Sequence, residues 1–371
     1  MSNILIVTPY FRPAQLGGGG QISVENLADV LKEDNTITII CYNHDFGKKT
    51  MISETFFINE HKIKIYFVTF LNFNNIRKDI SSITFNYVYF NSFFSPICLL
   101  FQLYFFNSKK IISPKGEFYD AALKKKSVIK KLVIKIHRFI FLNTVFHSTS
   151  YHEVDFIKKH FPFSRIEIAR DIPTFFNKNT IGYKRDDNNL NRTFKIIFSS
   201  RIDPKKNLSY IPQLLLNING IVQFDIYGDI ADKKYFEKVI NDLKTLPNNI
   251  LWNYCGRLNF NDAKNVFSNY DLFLFPTYGE NFGYVICESL QCGCPILLSK
   301  NTTPWGDLED EGVGYNIELQ DTQCWVEKIK YYQNISNDDR KIISNLCLNY
   351  IQNKFDMNNI INENKKLFKT I

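Results

Sequence analysis

The sequence is poor in the motifs of metal and redox sites. Its eight cysteines are scattered, and Cys292 and Cys294 flank a glycine instead of forming a Cys-x-x-Cys pair. Its six histidines, among them His147, His152 and His160, show no metal-like spacing. We therefore expect no metal site and no disulfide framework, and scattered free cysteines fit a reducing compartment.

Long hydrophobic runs are also missing. The longest apolar stretch, residues 97–106, is about half of what spans a bilayer and is interrupted by Gln102. The first residues lack a basic leader and a cleavage site, and their apolar run is typical of a buried strand. We expect a cytoplasmic protein without a transmembrane helix.

The composition is that of a globular protein. Of the 371 residues, 45% are hydrophobic and 22% charged, and this length suits two domains. We interpret the many aromatic residues, 34 Phe and 20 Tyr, as compositional bias. The net charge of +8 permits attraction to nucleic acid or to an anionic membrane and does not choose between them.

Short apolar runs alternate with amphipathic helical stretches, which predicts parallel sheets covered by helices on both faces. The pattern predicts two doubly wound halves. It weakens over residues 166–179, and the charged, Asn-rich residues 184–191 are interpreted as the linker. Predicted strands lie at residues 4–8, 36–42, 64–69, 87–91, 111–113, 145–148, 194–200, 224–227, 250–252, 272–275 and 295–298. Beyond Asp321 the pattern is helical to the end.

The most informative segment, residues 275–288, carries two carboxylates eight residues apart. Glu280 lies in a Gly-bounded turn after an apolar strand, and Glu288 lies about two turns into the next helix. The first amides of such a helix attract a diphosphate. Glu280 can accept hydrogen bonds from sugar hydroxyls, and Glu288 can accept them from a ribose.

This segment, with the Cys-Gly-Cys-Pro stop at 292–295, resembles the signature of retaining GT-B glycosyltransferases of family 4 (glycosyl transferases group 1), in a polysaccharide or O-antigen branch. The resemblance implies two Rossmann-like domains that face each other across a cleft. Residues 1–180 would bind the acceptor, residues 181–350 would bind the nucleotide sugar, and a C-terminal helix, 351–371, would return to the first domain. It also implies a nucleotide-sugar donor and neither cofactor nor metal.

A second motif, residues 200–208, places Arg201 and Lys206 after a strand, where both can neutralise a diphosphate leaving group. The two residues match the phosphate-binding Arg and Lys of the family, and Lys205 is expected to face solvent. Taken alone, the motif could be a basic surface turn that caps a helix. With Glu280 downstream, we favour catalytic roles for Arg201, Lys206 and Glu280.

Other loops complete the predicted donor site. Gly18 and Gly19 lie in a Gly-rich turn before a helix from about Gln21, although the turn lacks dinucleotide spacing and could be merely flexible. The full donor-binding set is Gly18, Gly19, Arg201, Lys206, Gly228, Arg257, Glu280, Asn281, Phe282, Gly283, Tyr284, Val285 and Glu288.

On the acceptor side, Ser113-Pro114-Lys115-Gly116 resembles a Ser-Pro-basic-Gly segment of the polysaccharide branch. Many relatives carry a His near this strand end, where this sequence has Lys115. The resemblance therefore implies no catalytic His here, and the sequence does not identify a catalytic base. Lys115 and Gly116 are the predicted acceptor-side residues.

The helix predicted over residues 123–138 has a cationic and an apolar side. Such a helix can dock on an anionic membrane, and an ordinary covering helix with a solvated charged face explains it equally well. A lipid-linked acceptor would favour docking. Nucleic acid is not an expected partner, because the positive charge is not interleaved with base-stacking aromatics.

The sequence thus predicts a retaining glycosyltransferase. It would move a sugar from a UDP- or GDP-sugar to a hydroxyl of a lipid-linked oligosaccharide in surface polysaccharide biosynthesis, by positioning and electrostatic stabilisation. The alternatives are a GT-B sugar-nucleotide epimerase and a non-catalytic nucleotide-binding scaffold. An epimerase would need carboxylates or histidines for proton abstraction, and the intact Arg201, Lys206, Glu280 and Glu288 argue against a scaffold.

Overall fold

The computed structural model describes residues 1–53, 55, 57–69, 71–124, 127–140, 144–175, 192–258 and 260–369. The chain divides into two compact units, Met1–Pro173 with Asp356–Ile371 (unit 1) and Thr174–Phe355 (unit 2). The predicted linker, 184–191, lies outside the described residues.

Both units alternate strands with helices along the chain. The strands of unit 1 are β1 (Asn3–Val7), β2 (Thr36–Tyr42), β3 (Phe57–Glu60), β4 (Ile63–Val68), β5 (Tyr87–Phe90), β6 (Lys110–Ile112), β7 (Thr144–Ser148) and β8 (Arg165–Ile168). Those of unit 2 are β9 (Phe194–Ser199), β10 (Val222–Tyr227), β11 (Ile250–Gly256), β12 (Leu272–Phe275), β13 (Ile296–Ser299) and β14 (Gly314–Ile317).

The helices cover these sheets. In chain order they are α1 (Gly19–Leu31), α2 (Phe73–Ser81), α3 (Pro96–Tyr104), α4 (Asp120–Lys124), α5 (Ser127–Ile140), α6 (Tyr151–His160), α7 (Ile211–Leu215), α8 (Lys233–Leu243), α9 (Phe260–Phe267), α10 (Tyr284–Gln291), α11 (Thr322–Asn334), α12 (Asn337–Lys354) and α13 (Met357–Leu367). In the part of the chain that the structure describes, no helix is long and apolar enough to span a bilayer.

The sheet of unit 1 has the strand order β3-β4-β2-β1-β5-β6-β7-β8. Every neighbouring pair is parallel except β3 and β4, which are antiparallel. Residues 4–7 of the central strand β1 are fully buried, because parallel strands with helices on both faces expose neither side. The loops that follow β1, β2, β5, β6 and β7 therefore emerge at one edge, the carboxyl edge of this sheet.

Unit 2 contains a wholly parallel sheet in the order β11-β10-β9-β12-β13-β14. Its central strand β9 pairs Ile196 with Leu272 of β12 and with Phe224 of β10, and all three side chains are fully buried. The order reverses at β9, so the loops after β9 and β12 leave the carboxyl edge side by side. The prediction of two doubly wound halves is confirmed.

The end of the chain belongs to unit 1. Arg170, after β8, donates from Nη2 to Glu363 Oε1 of α13 at 2.7 Å, and Asn364 Nδ2 donates to the Arg170 carbonyl at 2.9 Å. The returning helix was predicted over 351–371, but residues 351–354 complete α12 and the return begins at Met357. The sequence did not indicate this break between α12 and α13, because neither Gly nor Pro occurs near it.

Several local predictions were wrong. The edge strands β3, β8 and β14 were missed, because their half-exposed side chains give no continuous apolar run. Of the basic helix predicted over 123–138, the described residues lie in α4 and α5, and residues 125 and 126 between them are outside the described part of the chain. Helix α1 begins at Gly19, two residues earlier than predicted, so Gly19 is its first residue and not part of the loop.

Candidate donor site in unit 2 and the carboxyl edge of unit 1

The turn between β12 and α10 ends in a left-handed glycine. Gly283 has φ 81° and precedes the first helical residue, Tyr284. A Cβ at Gly283 would lie 2.8 Å from Ile286 Cδ1, so the turn needs glycine for both conformation and space. The first amides of α10 have no intrahelical acceptor and form the positive end of the helix dipole. This end of α10 suits an anionic ligand.

Lys206 and Glu280 form an ion pair at this turn. Lys206 Nζ lies 2.5 Å from Glu280 Oε1, and the two side chains are only 12% and 13% exposed. Thr277 Oγ1 donates to the same oxygen at 3.0 Å, and the Glu280 amide donates to the Thr302 carbonyl at 2.8 Å. The structure therefore brings together two of the predicted catalytic residues, which are far apart in sequence, and fixes the position of the carboxylate.

Arg201 lies on the loop after β9 that also carries Lys206. Its Nε donates to Asp203 Oδ2 at 2.8 Å, and its side chain is 39% exposed. Asp203 also accepts the Lys205 amide at 2.9 Å and so caps the 3-10 turn Pro204–Lys206. Lys205 is exposed, as predicted. Asp203 thus holds the loop in two ways: it caps the short turn that carries Lys206, and it fixes the orientation of the Arg201 guanidinium.

Glu288 is the fifth residue of α10, so it lies just over one turn into the helix and not two. Its side chain is half-buried, and it makes no hydrogen bond or ion pair with any residue that the structure describes. Burial raises the pKa of Glu288 from 4.5 to about 7. A desolvated carboxylate without a donor is a strong acceptor for ligand hydroxyls.

Gly228 is required where the loops after β9 and β10 approach each other. A Cβ at this position would lie 1.8 Å from the Ser200 carbonyl oxygen, and the Gly228 amide donates to the Gly256 carbonyl at 2.7 Å. Arg257 follows Gly256, and its Nε lies 3.9 Å from Asp229 Oδ2, a loose pairing at a half-buried site. The predicted donor residues Gly228 and Arg257 therefore lie on adjoining loops at the carboxyl edge of unit 2.

Trp305, in the loop after β13, contacts the turn between β12 and α10. Its indole Nε1 donates to the Phe282 carbonyl at 2.6 Å, and the two rings lie 5.8 Å apart. The Phe282 ring also packs against Phe355, with 5.9 Å between centroids. Phe282 thus anchors the turn through its carbonyl and its ring. The Trp-Phe pairing is non-local, and no sequence signal would have identified it.

At the carboxyl edge of unit 1, the Gly-rich loop is held by a carboxylate. Asp45 accepts the amides of Gln15 and Leu16 at 2.8 and 2.7 Å. Gly18 has φ 65°, and a Cβ there would meet nothing within 4 Å. Gly18 therefore serves the backbone conformation of the α1 N-cap and leaves open space above it, and Asp45 is a site residue that sequence reasoning missed.

Lys115 is not a free ammonium. Its Nζ lies 2.6 Å from Asp171 Oδ1, with the side chains 12% and 4% exposed, and Ser23 Oγ donates to the same oxygen at 2.5 Å. Burial by itself would raise the pKa of Asp171, but Lys115 lowers it overall. The next amide, that of Gly116, donates to the buried Glu153 at 2.6 Å. The predicted acceptor-side pair is thus embedded in a charged network.

No group of three or more His, Cys, Asp or Glu side chains is placed to hold a metal ion among the residues that the structure describes. The free cysteines there include exposed Cys255 and buried Cys292 and Cys294. The proposal that donor use needs no metal stays a prediction.

Comparison with known proteins agrees with this geometry. Residues 183–346 match the family model "Glycosyl transferases group 1". The GtfA subunit of a UDP-N-acetylglucosamine–peptide N-acetylglucosaminyltransferase from Streptococcus agalactiae is 23% identical over 109 residues. That alignment covers 29% of this chain and 20% of the relative, so the chain spans about a fifth of the relative's length.

Solved structures match over the whole chain. Sucrose-phosphate synthase from Thermosynechococcus elongatus has a TM-score of 0.76 at 15% identity, covering 100% of this chain and 98% of that one. Anabaena HepE, solved with UDP and glucose, has a TM-score of 0.73 at 14% identity with full coverage of both chains. WaaG, a glycosyltransferase involved in lipopolysaccharide biosynthesis, has a TM-score of 0.67 at 12% identity, covering 99% and 100%.

At these identities, the structural matches show the fold, which is that of GT-B glycosyltransferases. The family match covers the part of the sequence with Arg201, Lys206, Glu280 and Glu288. The family match over residues 183–346 and the shared fold together indicate a glycosyltransferase with the GT-B fold.

Proposed function

We propose that this protein is a retaining glycosyltransferase that moves a sugar from a UDP- or GDP-sugar to a hydroxyl of a lipid-linked oligosaccharide during surface polysaccharide assembly. One observation carries the donor half. The Lys206–Glu280 ion pair adjoins the N-terminus of α10, and unpartnered Glu288 lies on the same helix. Cation, helix amides and free carboxylate are the groups that a nucleoside diphosphate sugar needs.

Each group has a role in the proposed reaction. Arg201 and Lys206 neutralise the diphosphate as the bond between sugar C1 and the phosphate oxygen breaks. The first amides of α10 bind the distal phosphate, and Glu288 accepts hydrogen bonds from the ribose. Glu280 holds a donor sugar hydroxyl. Because Thr277 and Lys206 already fix Glu280, it is positioned before the donor arrives.

Retention of configuration follows from attack on the face that the leaving group vacates. The acceptor oxygen forms the new bond to C1, and its proton passes to the departing phosphate oxygen, so no protein nucleophile or separate base is needed. The positive charge that develops on the sugar is balanced by the diphosphate itself. This accords with the absence of a catalytic His at Lys115, whose ammonium is paired with Asp171.

Of the two proposed donor classes, we favour a uridine diphosphate sugar over a guanosine diphosphate sugar. HepE was solved with UDP and with UDP-glucose, and the related trehalose-6-phosphate protein of E. coli with UDP-2-fluoro glucose. These ligands belong to those proteins, and they support the order in which donors should be tested.

The acceptor half of the proposal rests on α5. Its exposed side carries Val128, Ile129, Leu132, Ile136 and Phe139, which are 79%, 61%, 57%, 45% and 75% exposed. The helix has no acidic residue, and its basic side chains line an adjoining cavity of about 430 Å³. Exposed apolar side chains bordered by cations fit an anionic membrane surface, where a lipid-linked acceptor would be found.

Calorimetric titration with UDP, GDP, ADP and CDP, each with and without Mg²⁺, tests the donor half. We expect UDP to bind at micromolar concentration without metal and GDP to bind more weakly. Arg201→Gln should weaken UDP binding about tenfold or more, since it removes a charged hydrogen bond. If no nucleotide binds with or without metal, the donor site is wrongly assigned.

Co-sedimentation with phosphatidylglycerol and phosphatidylcholine vesicles tests docking. We expect binding to the anionic vesicles only, and Leu132→Ser should reduce it. Leu251→Ser is the matched control, because Leu251 is 55% exposed in unit 2. Equal losses in both variants, or equal binding to the two lipids, would count against docking through α5.

A further inference from the structure

Four aromatic rings gather at the carboxyl edge of unit 1. Tyr10 follows β1, Tyr42 ends β2, and His44 and Phe46 lie in the loop after β2. The Tyr10 ring centroid is 6.2 Å from those of Tyr42 and His44 and 5.9 Å from that of Phe46. Tyr42 and His44 stack with 5.0 Å between their centroids. We call these four rings the aromatic platform.

The platform is open to solvent, unlike the aromatic core beneath it. Tyr10, Tyr42 and His44 are half-buried and Phe46 is 40% exposed, whereas neighbouring Phe11 is fully buried. In parallel α/β sheets, ligands bind outside the carboxyl ends of the strands. The platform therefore lies at the ligand-binding edge of unit 1 and is not part of its core.

The loop that carries the platform is fixed in place. Asn43 exchanges two hydrogen bonds with Ser53, from Nδ2 to the carbonyl and from the Ser53 amide to Oδ1, at 2.9 and 3.0 Å. Asp45 binds amides of the Gly-rich loop, and Tyr42 OH accepts the Ile97 amide at 3.0 Å. Because both loops are tied, a ligand would meet rings that are already positioned.

Polar acceptors border the rings. His44 Nδ1 lies 3.0 Å from the Asp45 carbonyl, and since a carbonyl only accepts, Nδ1 must carry the proton. In the neutral ring Nε2 is then an acceptor. Asp45 Oδ1 accepts the amides of Leu16 and Phe46, whereas Oδ2 accepts that of Gln15 and keeps a second lone pair. A pyranose has an apolar C–H face, which can pack on an aromatic ring, and hydroxyl groups, which can donate to the neighbouring acceptors. The platform therefore matches the chemistry of a pyranose.

We propose that the aromatic platform binds a pyranose ring of the saccharide acceptor, with the sugar's C–H face on the exposed ring of Phe46 and its hydroxyls donating to His44 Nε2 and Asp45 Oδ2. This inference rests on the proposed glycosyltransferase function and adds the acceptor subsite to it. The platform lies in unit 1, whereas the groups assigned to the nucleotide, Arg201 and Glu288 among them, lie in unit 2.

Saturation-transfer NMR tests the subsite without knowledge of the natural acceptor. The probes are the methyl α- and β-glycosides of glucose, galactose and N-acetylglucosamine, titrated into the UDP-bound protein. We expect at least one glycoside to receive saturation mainly on the protons of one ring face. Phe46→Ala should weaken its binding about tenfold, which corresponds to about 1.4 kcal/mol.

A matched variant separates stacking on the platform from the loss of any exposed ring. Phe57→Ala removes an aromatic ring that is 37% exposed on the edge strand β3, and it should leave glycoside binding unchanged. All variants should bind UDP normally, because the proposed nucleotide site is in unit 2.

If the wild-type protein binds neither UDP nor GDP, the proposed function is overturned. If UDP binds and no glycoside in the panel receives saturation, the platform proposal alone is overturned. The same conclusion holds if Phe46→Ala binds the glycoside as tightly as the wild type or if Phe57→Ala weakens it equally.

Discussion

Glu288→Gln should make the ligand-free protein more stable and the donor complex weaker. The wild-type carboxyl has its pKa raised by burial from 4.5 to about 7, so ionising it costs more in the folded than in the unfolded protein. At 1.36 kcal/mol per pKa unit, the cost approaches about 3 kcal/mol at pH 8 and is below about 1 kcal/mol at pH 5. The amide variant avoids this cost.

The sign follows from linkage. An acid whose folded pKa is raised favours the folded state while it is protonated, and this stability is lost as pH rises from about 4.5 to about 7. Urea unfolding of the variant should therefore show a gain of about 3 kcal/mol at pH 8 and little gain at pH 5. A gain that is equal at both pH values, or a loss at pH 8, would refute the reasoning.

UDP binding should lower the pKa of Glu288, whereas burial raises it. Ribose hydroxyls that donate to the ionised carboxylate would lower its pKa, so UDP binding should release protons near pH 7 and strengthen as pH rises. Calorimetry in two buffers of different ionisation enthalpy measures that release. Glu288→Gln should release none and bind UDP more weakly, and proton release equal to that of the wild type would show that another group titrates.

Three further predictions follow from the contacts described above. Gly228→Ala should destabilise unit 2 by about 2 kcal/mol or more, because the new Cβ would overlap a carbonyl oxygen. In Gly256→Ala the new Cβ meets no neighbour within 4 Å, so this variant should lose about 1 kcal/mol of stability. Urea unfolding measures both losses. Lys206→Gln should abolish donor turnover while Lys205→Gln, at the exposed neighbour, retains it. Asp171→Asn should cost about 3 kcal/mol in urea unfolding, because it leaves a buried lysine unpaired.

Each has a contradicting result. Equal costs for the two glycine variants would mean that the loops after β9 and β10 separate freely. Equal turnover in the two lysine variants would remove Lys206 from the proposed mechanism. A loss of stability below about 1 kcal/mol in Asp171→Asn is typical of an exposed ion pair and would contradict the buried pairing of Asp171 with Lys115.

The sequence predicted the features that short segments encode. The buried strands β1 and β9 were recognisable because parallel strands covered on both faces are continuous apolar runs. The proximity of Lys206 to Glu280 was recognisable because each follows the end of a strand, and strand ends meet at one edge of a parallel sheet.

What was missed depends on contacts between distant residues. Asp171 pairs with Lys115 across 56 positions, and Asp45 holds the amides of Gln15 and Leu16 from the loop after β2. Neither carboxylate belongs to a spaced motif, so nothing in the local sequence separates it from a surface acid. The half-exposed edge strand β3 likewise takes its conformation from pairing with β4.

The central claim, transfer of a sugar from a nucleotide donor through the unit 2 site, is tested most directly by nucleotide release from a panel of UDP- and GDP-sugars in the presence of a membrane lipid extract. We predict that one donor releases its nucleoside diphosphate, that the sugar appears in the lipid fraction with its anomeric configuration retained, and that Lys206→Gln abolishes both. Tight binding of a nucleotide without release from any donor, or release that survives in Lys206→Gln, would contradict the account.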